Sequence, residues 1–331
     1  MSWTDANKTD AQGDWGQAAA NNENGWGQAA LNNLVSWGKA HAMSLGHAVT
    51  NLVGDGSFTG LLDTYPNAAA AYSLRQLSST YTGDAVVVRR ASDNGTQSIG
   101  FVANELDVNT LETFCAGTDG YVATWYDQSG NGNDVIQATA TNQPPIVSSG
   151  YTILKNGKPA LSFTNHELQK SIVSVSGNAY SFFGVADTTG SSARALFRNR
   201  DLGGFGLFEG AAFLELLSND DVGNTFMDDG VGNAIQASRS RLIDGNHLIS
   251  THYTLSTAAL YIDSIKNGTS SMGSGSTPLI GPIDLPYLTI GGKRYNRPWE
   301  DTIQEIVLYN NDKLSVRSSI ETNINDFYSI Y

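Results

Sequence analysis

From Leu61 onward the chain alternates short apolar runs with clusters of Gly, Asn and Ser. YVATWY, PALSF, YSFFGVAD, RALFR, FGLFE, AFLELL, HLISTHYTL, AALYID, YLTIGG and TIQEIVLY each have the length of a strand and are bounded by turn residues. Val86–Arg90 reads the same way. Many short strands separated by turns predict an antiparallel β-sandwich. Three segments read as helical. Pro66 opens PNAAAAYSLRQL, which runs through Leu77, and proline is tolerated in a first helical turn. Asn109-Thr110-Leu111-Glu112 has capping-box spacing and predicts a short helix ending near Cys115. Leu314 to Tyr328 places Val316, Ile320, Ile324 and Phe327 on one helical face, which predicts a terminal helix lying on the sandwich.

The first 60 residues follow a different pattern. Trp15-Gly16-Gln17-Ala18-Ala19 recurs at Trp26 and, with Lys39 in place of Gln, at Trp37, so the repeat is 11 residues both times. An 11-residue period would keep one helical face aligned, but the glycine after each Trp and the pairs Asn21-Asn22 and Asn32-Asn33 oppose long helices. Short turns or an extended arm fit better. Tryptophan buries a large area wherever it packs, and this segment is too polar to form a core. Trp15, Trp26 and Trp37 are therefore expected to anchor residues 1–60 to a repetitive or symmetric partner, the alternative being an arm folded back on its own domain. The small residues from Ala42 to Gly60 read as a linker, leaving 61–331 as the sandwich.

Composition narrows the partners. Lys plus Arg number 19 and Asp plus Glu 32, so the net charge is 19 − 32 = −13. That opposes a sequence-independent grip on nucleic acid or an anionic membrane, since both need basic groups. The single cysteine, Cys115, excludes an intrachain disulfide and a Cys-rich zinc site, and no cofactor is implied. The N-terminus lacks a basic region followed by an apolar one, which predicts no secretory leader, and no run of about 18 apolar residues would span a bilayer.

Several motifs could carry chemistry. Asp127-Gln128-Ser129-Gly130-Asn131-Gly132 resembles the opening of a calcium loop, but Ala138 stands where the bidentate Glu belongs, so a tight turn is expected and no metal is assigned. His247 and His252 are five apart and point to opposite faces of one strand, which is not the geometry of a metal pair. The loop Lys293-Arg294-Tyr295-Asn296-Arg297-Pro298-Trp299-Glu300 mixes aromatic and hydrogen-bonding side chains as sugar sites do. Arg294, Tyr295, Asn296 and Trp299 are candidate glycan-binding residues, with a covered sheet edge as the plainer role for Trp299. Trp125-Tyr126-Asp127 is a weaker candidate, with Trp125 expected in the core.

Two stretches carry a family resemblance. AYSLRQLSSTYTGDAVVVRRASDN (71–94), LETFCAG (111–117) and TWYDQSGNGND (124–134) resemble the N-terminal half of the catalytic domain of fungal-type α-L-arabinofuranosidase B enzymes. LYIDS, YLTIGG and the run from Thr302 to Tyr331 are similar to the closing segment of laminin-G-like, concanavalin-type jelly rolls. The resemblance implies a lectin- or glucanase-like jelly-roll sandwich over residues 61–331.

It also implies a test for activity. The family's acid is an Asp directly after a Gly-Gly pair, and here Gly291-Gly292 is followed by Lys293. An amine with an ordinary pKa of about 10.4 cannot substitute for a carboxylic acid. The family's nucleophile is a mid-domain Glu; Glu209 and Glu215 lie in that region within dissimilar surroundings, while Glu300 and Asp301 are possible rescuing carboxylates. The family's disulfide also looks broken, because the partner of Cys115 aligns with Gly120. No catalytic residue is therefore assigned. Such sandwiches also occur in phage virion proteins. A Trp-repeat arm, no leader and a damaged glycosidase motif together predict a phage fibre, spike or tail component. It would be assembled in the host cytoplasm, homo-oligomeric, anchored through its arm to other virion proteins, and able to touch host glycans. An arabinofuranosidase-like glycoside hydrolase and a free bacterial carbohydrate-binding protein are the alternatives.

Overall fold

Strand pairing dominates the computed structural model, which describes residues 58–187, 194–199, 210–217, 222–228, 234–239, 245–269, 283–291 and 301–331. The Trp15, Trp26 and Trp37 repeats lie outside the described residues. Among the described residues two large antiparallel sheets carry the fold. The smaller runs, in spatial order, Ala70–Ser73 (β1), Thr302–Tyr309 (β23), Ala179–Asp187 (β14), Asn246–Thr254 (β19), Ala258–Ile262 (β20) and Ile265–Thr269 (β21), with Leu161–Ser162 (β12) also on β23. The larger runs Ala234–Arg239 (β18), Val222–Asp228 (β17), Gly210–Leu217 (β16), Arg194–Asn199 (β15), Ile283–Ile290 (β22), Leu168–Gly177 (β13), Val135–Ile136 (β7), Gly120–Trp125 (β6), Val86–Arg90 (β2) and Thr96–Ile99 (β3). Pro145–Ser148 (β8) joins β6, and Tyr151–Thr152 (β9) pairs with β8. Phe101–Val102 (β4) with Glu105–Leu106 (β5), and Leu154–Lys155 (β10) with Lys158–Pro159 (β11), form two small hairpins.

The two sheets pack face to face because side chains alternate along each strand. Phe182 and Ala186 of β14 and Ile306 and Leu308 of β23 enter a core shared with Val86, Val88, Val122, Trp125, Leu168, Leu288 and Ile290 of the larger sheet. The intervening residues, Phe183, Val185, Val307 and Tyr309, face the other way. They form a second apolar layer with Ile320, Ile324 and Tyr328 of the C-terminal helix α3 (Arg317–Tyr328). Val316 and Phe327 pack partly buried against that layer, so the helical face read from the sequence is the one that docks. This is the antiparallel β-sandwich with a C-terminal helix that the strand pattern predicts.

The Pro66–Leu77 helix is corrected. A single turn, α1 (Leu61–Thr64), precedes Pro66, and the Ala-rich stretch becomes β1. Asn67 takes a left-handed φ of 65°, which stops any helix that Pro66 might start. Ala70 to Ser73 are then buried on both faces against β23, and there the pairing and small size of alanine outweigh its helix propensity. Helix α2 (Val108–Cys115) forms as expected, but its cap is Asp107, two residues before Asn109. The Asp107 carboxylate accepts hydrogen bonds from the Thr110 N–H at 3.0 Å and the Thr110 hydroxyl at 2.7 Å.

Candidate functional site

The end of β22 organises the region that the sequence singles out. Ile290 is paired with Leu168 of β13 on one side and with Phe197 of β15 on the other. Phe197 is in turn paired with Leu214 of β16, and the next pair along is Ala195 with Glu215. The row Leu168–Ile290–Phe197–Leu214 thus crosses four strands at one level, and Glu167, Gly291 and Glu215 each stand one residue beyond it toward the same edge. Backbones two strands apart are about 10 Å from one another, so Glu215 stands roughly that far from the Gly291 strand.

Gly291 is required by its surroundings. Its φ is +88°, and a Cβ there would lie 2.2 Å from Phe163 Cδ1 and 2.7 Å from the His166 carbonyl oxygen. The segment from Leu161 to Leu168 therefore runs directly against the start of the connection that follows β22. It also meets the end of that connection: Leu161 and Ser162 pair with Ile303 and Thr302, and the Phe163 N–H donates to the Asp301 carbonyl at 3.0 Å.

Glu167 is clamped at its main chain. Its N–H donates to the Asn142 carbonyl at 3.1 Å, and its carbonyl accepts from Gln137 Nε2 at 3.1 Å. Gln137 is fixed by the Thr139 N–H at 2.9 Å and passes its carbonyl to Gln143 Nε2 at 2.8 Å. Gln143 accepts from Arg89 Nε at 2.6 Å, and the Arg89 guanidinium lies 4.8 Å over the Tyr121 ring. In contrast to this committed backbone, the Glu167 carboxyl has Oε2 buried without a hydrogen-bond partner, in a residue only 6% exposed. Thr302 Oγ1 is buried in the same condition.

Other sequence candidates resolve into structure. Trp125 is fully buried and donates from Nε1 to the Ser73 carbonyl at 3.3 Å, which makes it core rather than platform. Asp127 builds its loop: Oδ1 accepts from the N–H groups of Ala71 (2.8 Å) and Ser129 (2.9 Å), and Oδ2 from the Ser129 hydroxyl (2.7 Å) and the Asn133 N–H (2.9 Å). Four donors occupy the lone pairs that a calcium ligand would need. His247 Nδ1 lies 2.7 Å from Asp263, whereas His252 Nδ1 lies 2.9 Å from the Ser181 hydroxyl across the neighbouring strand. Burial, reinforced by the Arg317 charge, pushes His252 down to about 3. Cys115 is free and buried, and a Cβ on Gly120 would lie 2.6 Å from its Sγ, so the position inferred for a lost cysteine does face the thiol. Glu209, Lys293, Arg294, Tyr295, Asn296, Trp299 and Glu300 lie outside the described residues. The sequence reading missed Glu167, whose only signal was a carboxylate directly before the apolar start of a strand.

Comparison with known proteins identifies the pattern these elements carry. Residues 63–188 match the family profile described as the catalytic domain of α-L-arabinofuranosidase B. The α-L-arabinofuranosidase B of Penicillium canescens is 33% identical over 172 residues, which cover 49% of this chain and 36% of that protein. The Emericella nidulans α-L-arabinofuranosidase B is 42% identical over 78 residues, covering 22% and 15% respectively. The chain thus spans about a third or less of the length of these curated relatives. Among solved structures, a GH54 α-L-arabinofuranosidase soaked with a cyclic sulfate inhibitor superposes with a TM-score of 0.57 at 19% identity, over 80% of this chain and 65% of its own. An arabinofuranosidase complexed with arabinofuranosyl-α-1,2-xylobiose does so with a TM-score of 0.53, and both likenesses concern the fold. These findings correct the expectation of a phage virion component, together with its fibre or tail role and its location in a virion: the relatives are fungal arabinofuranosidases. A Trp-Gly repeat signals packing against something without saying what, so a virion role does not follow from it. An arabinofuranosidase-like catalytic domain, on a β-sandwich of the arabinofuranosidase kind, is what residues 63–188 and their sheets resemble.

Proposed function

We propose that this chain is an arabinofuranosidase-like glycoside hydrolase that releases terminal α-L-arabinofuranosyl units, with Glu215 as the nucleophile. The observation that carries the reading is the strand register that brings Glu215 to the level of Gly291, where the resemblance puts the two halves of a glycosidase site. In a retaining reaction the carboxylate attacks the anomeric carbon while an acid protonates the departing oxygen, and water then releases the sugar from the carboxylate ester. Lys293, in place of the family's Asp, favours a second reading in which the site holds the sugar without cleaving it.

Turnover of 4-nitrophenyl α-L-arabinofuranoside separates the two, because nitrophenolate departs with little help from an acid. Hydrolysis by the folded protein, lost in Glu215→Gln and kept in Glu209→Gln, is the expected result. Loss in Glu209→Gln alone would move the nucleophile to that residue. No release of nitrophenol, with saturable binding of L-arabinose by calorimetry, would establish the binding reading instead.

A further inference from the structure

We propose that the C-terminal segment from Lys313 through α3 is an acid-released strap: a proton taken up at His252 lifts it from the smaller sheet while the two sheets stay packed. The device is independent of the hydrolase reading.

The strap covers the outer face of that sheet. Among the described residues the core shared by the two sheets draws on nothing beyond Leu308. Ile320, Ile324 and Tyr328 of α3 belong instead to the second layer, against Phe183, Val185 and Tyr309. The helix can therefore leave without opening the sandwich.

His252 lies beneath the start of the strap. Alternation along β19 puts Leu248, Ser250 and His252 on the α3 side, and His252 is the register partner of Ser181 on β14. The Ser181 hydroxyl ties the imidazole to the strap: Oγ accepts from the Lys313 N–H at 2.9 Å and lies 2.9 Å from His252 Nδ1. The hydroxyl hydrogen is then available to Nδ1 of a neutral imidazole. An imidazolium presents an N–H at that position, and the bond from the hydroxyl is lost.

The new charge would also lack a counterion. The Arg317 guanidinium of α3 lies 3.9 Å over the Tyr261 ring, which meets the His252 ring edge-on with centroids 5.8 Å apart, so a second cation would stand beside the first. Phe183 packs edge-on against the imidazole as well. Glu321, the carboxylate on this side of α3, is taken by Arg317 and by the hydroxyls of Ser250 and Ser264. The Lys313 amine turns to the Tyr309 ring and the Pro66 carbonyl, and Asp263 serves His247.

Burial, with the Arg317 charge, accordingly holds His252 down to about 3. Arg317 leaves with the strap, and lifting α3 uncovers the face on which His252 stands, so its affinity for a proton returns toward the ordinary value of about 6.5. Between those values the lifted form binds the extra proton, and its population rises about tenfold for each pH unit below 6.5.

Hydrogen exchange of the full chain, read by mass spectrometry at pH 7 and pH 5 and corrected for the intrinsic rate, tests the strap. Ordinary carboxylates stay ionised over that range. Peptides within 313–331 should lose about 25-fold in protection, while those of β14, β19 and β23 keep theirs. His252→Asn retains a hydrogen-bonding group near Nδ1 but does not titrate, and it should abolish the change; His252→Gln is the second variant. Unchanged protection of 313–331 in the wild type would overturn the proposal. So would an equal loss in all peptides, which is global unfolding, or the same loss in a folded His252 variant, which would assign the response to another group.

Discussion

Two buried regions of the sandwich treat their carboxylates in opposite ways. Beneath α3, Glu305 accepts from Arg75 Nε at 2.7 Å and Nη2 at 3.0 Å, from the Ser73 hydroxyl at 2.8 Å and from the Tyr328 hydroxyl at 3.2 Å. Glu321, on the helix itself, takes the Ser250 hydroxyl at 2.5 Å, the Ser264 hydroxyl at 2.8 Å and the Arg317 guanidinium. Their lone pairs are engaged, and these groups hold the helix on its sheet. Just before β13, Glu167 is 6% exposed and its Oε2 is buried without a hydrogen-bond partner. Burial alone therefore does not show that a carboxylate holds the fold together. The number of donors aimed at it does, because each missing donor is desolvation left uncompensated.

Breaking the engaged side of this contrast should have the largest effect. Arg75→Met leaves Glu305 as an uncompensated buried charge, and we expect a loss of about 3–5 kcal/mol in chemical denaturation. A loss below about 1 kcal/mol would mean that water reaches Glu305. Gly291→Ala attacks the other side. Its Cβ would meet the Phe163 ring and the His166 carbonyl at a left-handed φ, so about 2–3 kcal/mol should be lost, together with activity. Gly120→Cys should gain stability: the new Cβ faces Cys115 Sγ at 2.6 Å, and closing so short a loop contributes about 2 kcal/mol. Mass spectrometry should show the loss of two hydrogens (about 2 Da), and reductant should abolish the gain.

His252 provides a pH-dependent version of the same contrast. Its folded pKa of about 3 lies below the unfolded value, so between the two the unfolded chain binds the extra proton. Stability should fall as pH drops below about 6.5, by up to about 1.4 kcal/mol for each unit, and level off once the folded form also titrates. His252→Phe should flatten that slope in urea titrations at stepped pH. The smallest loss belongs to Glu167→Gln, which breaks no side-chain hydrogen bond and puts one buried polar group of the same size in place of another, so little stability should be lost. A loss near that of Arg75→Met would show that Glu167 has structural donors after all.

The sequence made legible what depends on local pattern. AALYID and TIQEIVLY read as strands from apolar runs bounded by turns, and the terminal helix announced its docking side through Val316, Ile320, Ile324 and Phe327. It could not show what depends on distant chain. The Ala70–Ser73 stretch has the composition of a helix and becomes a strand only because β23, more than two hundred residues later, pairs with it. Arg75 and Glu305 are 230 residues apart, so neither reveals its partner locally. Glu167 was illegible for a related reason. A lone carboxylate after Thr-Asn-His reads as a solvated turn, and only the clamp from Asn142 and Gln137 gives it another meaning. The DQSGNGND run lies within the family match, and its Asp127 is engaged in holding the loop together.

The position of β23 has a consequence for how the domain comes into being. This strand lies between β1 and β14, accepts β12 at its end, and supplies side chains to both apolar layers. A nascent chain that has reached only Asp301 has made the strands on either side of it but not the strand that joins them. Until then β1 has no register and Arg75 is a cation without its carboxylate. Folding of this domain is thus a late, long-range event during synthesis, of the kind that proceeds slowly and leaves strand edges open to wrong partners. The segment from Thr302 to Tyr309 thus sets when the domain can close as well as how it is held together.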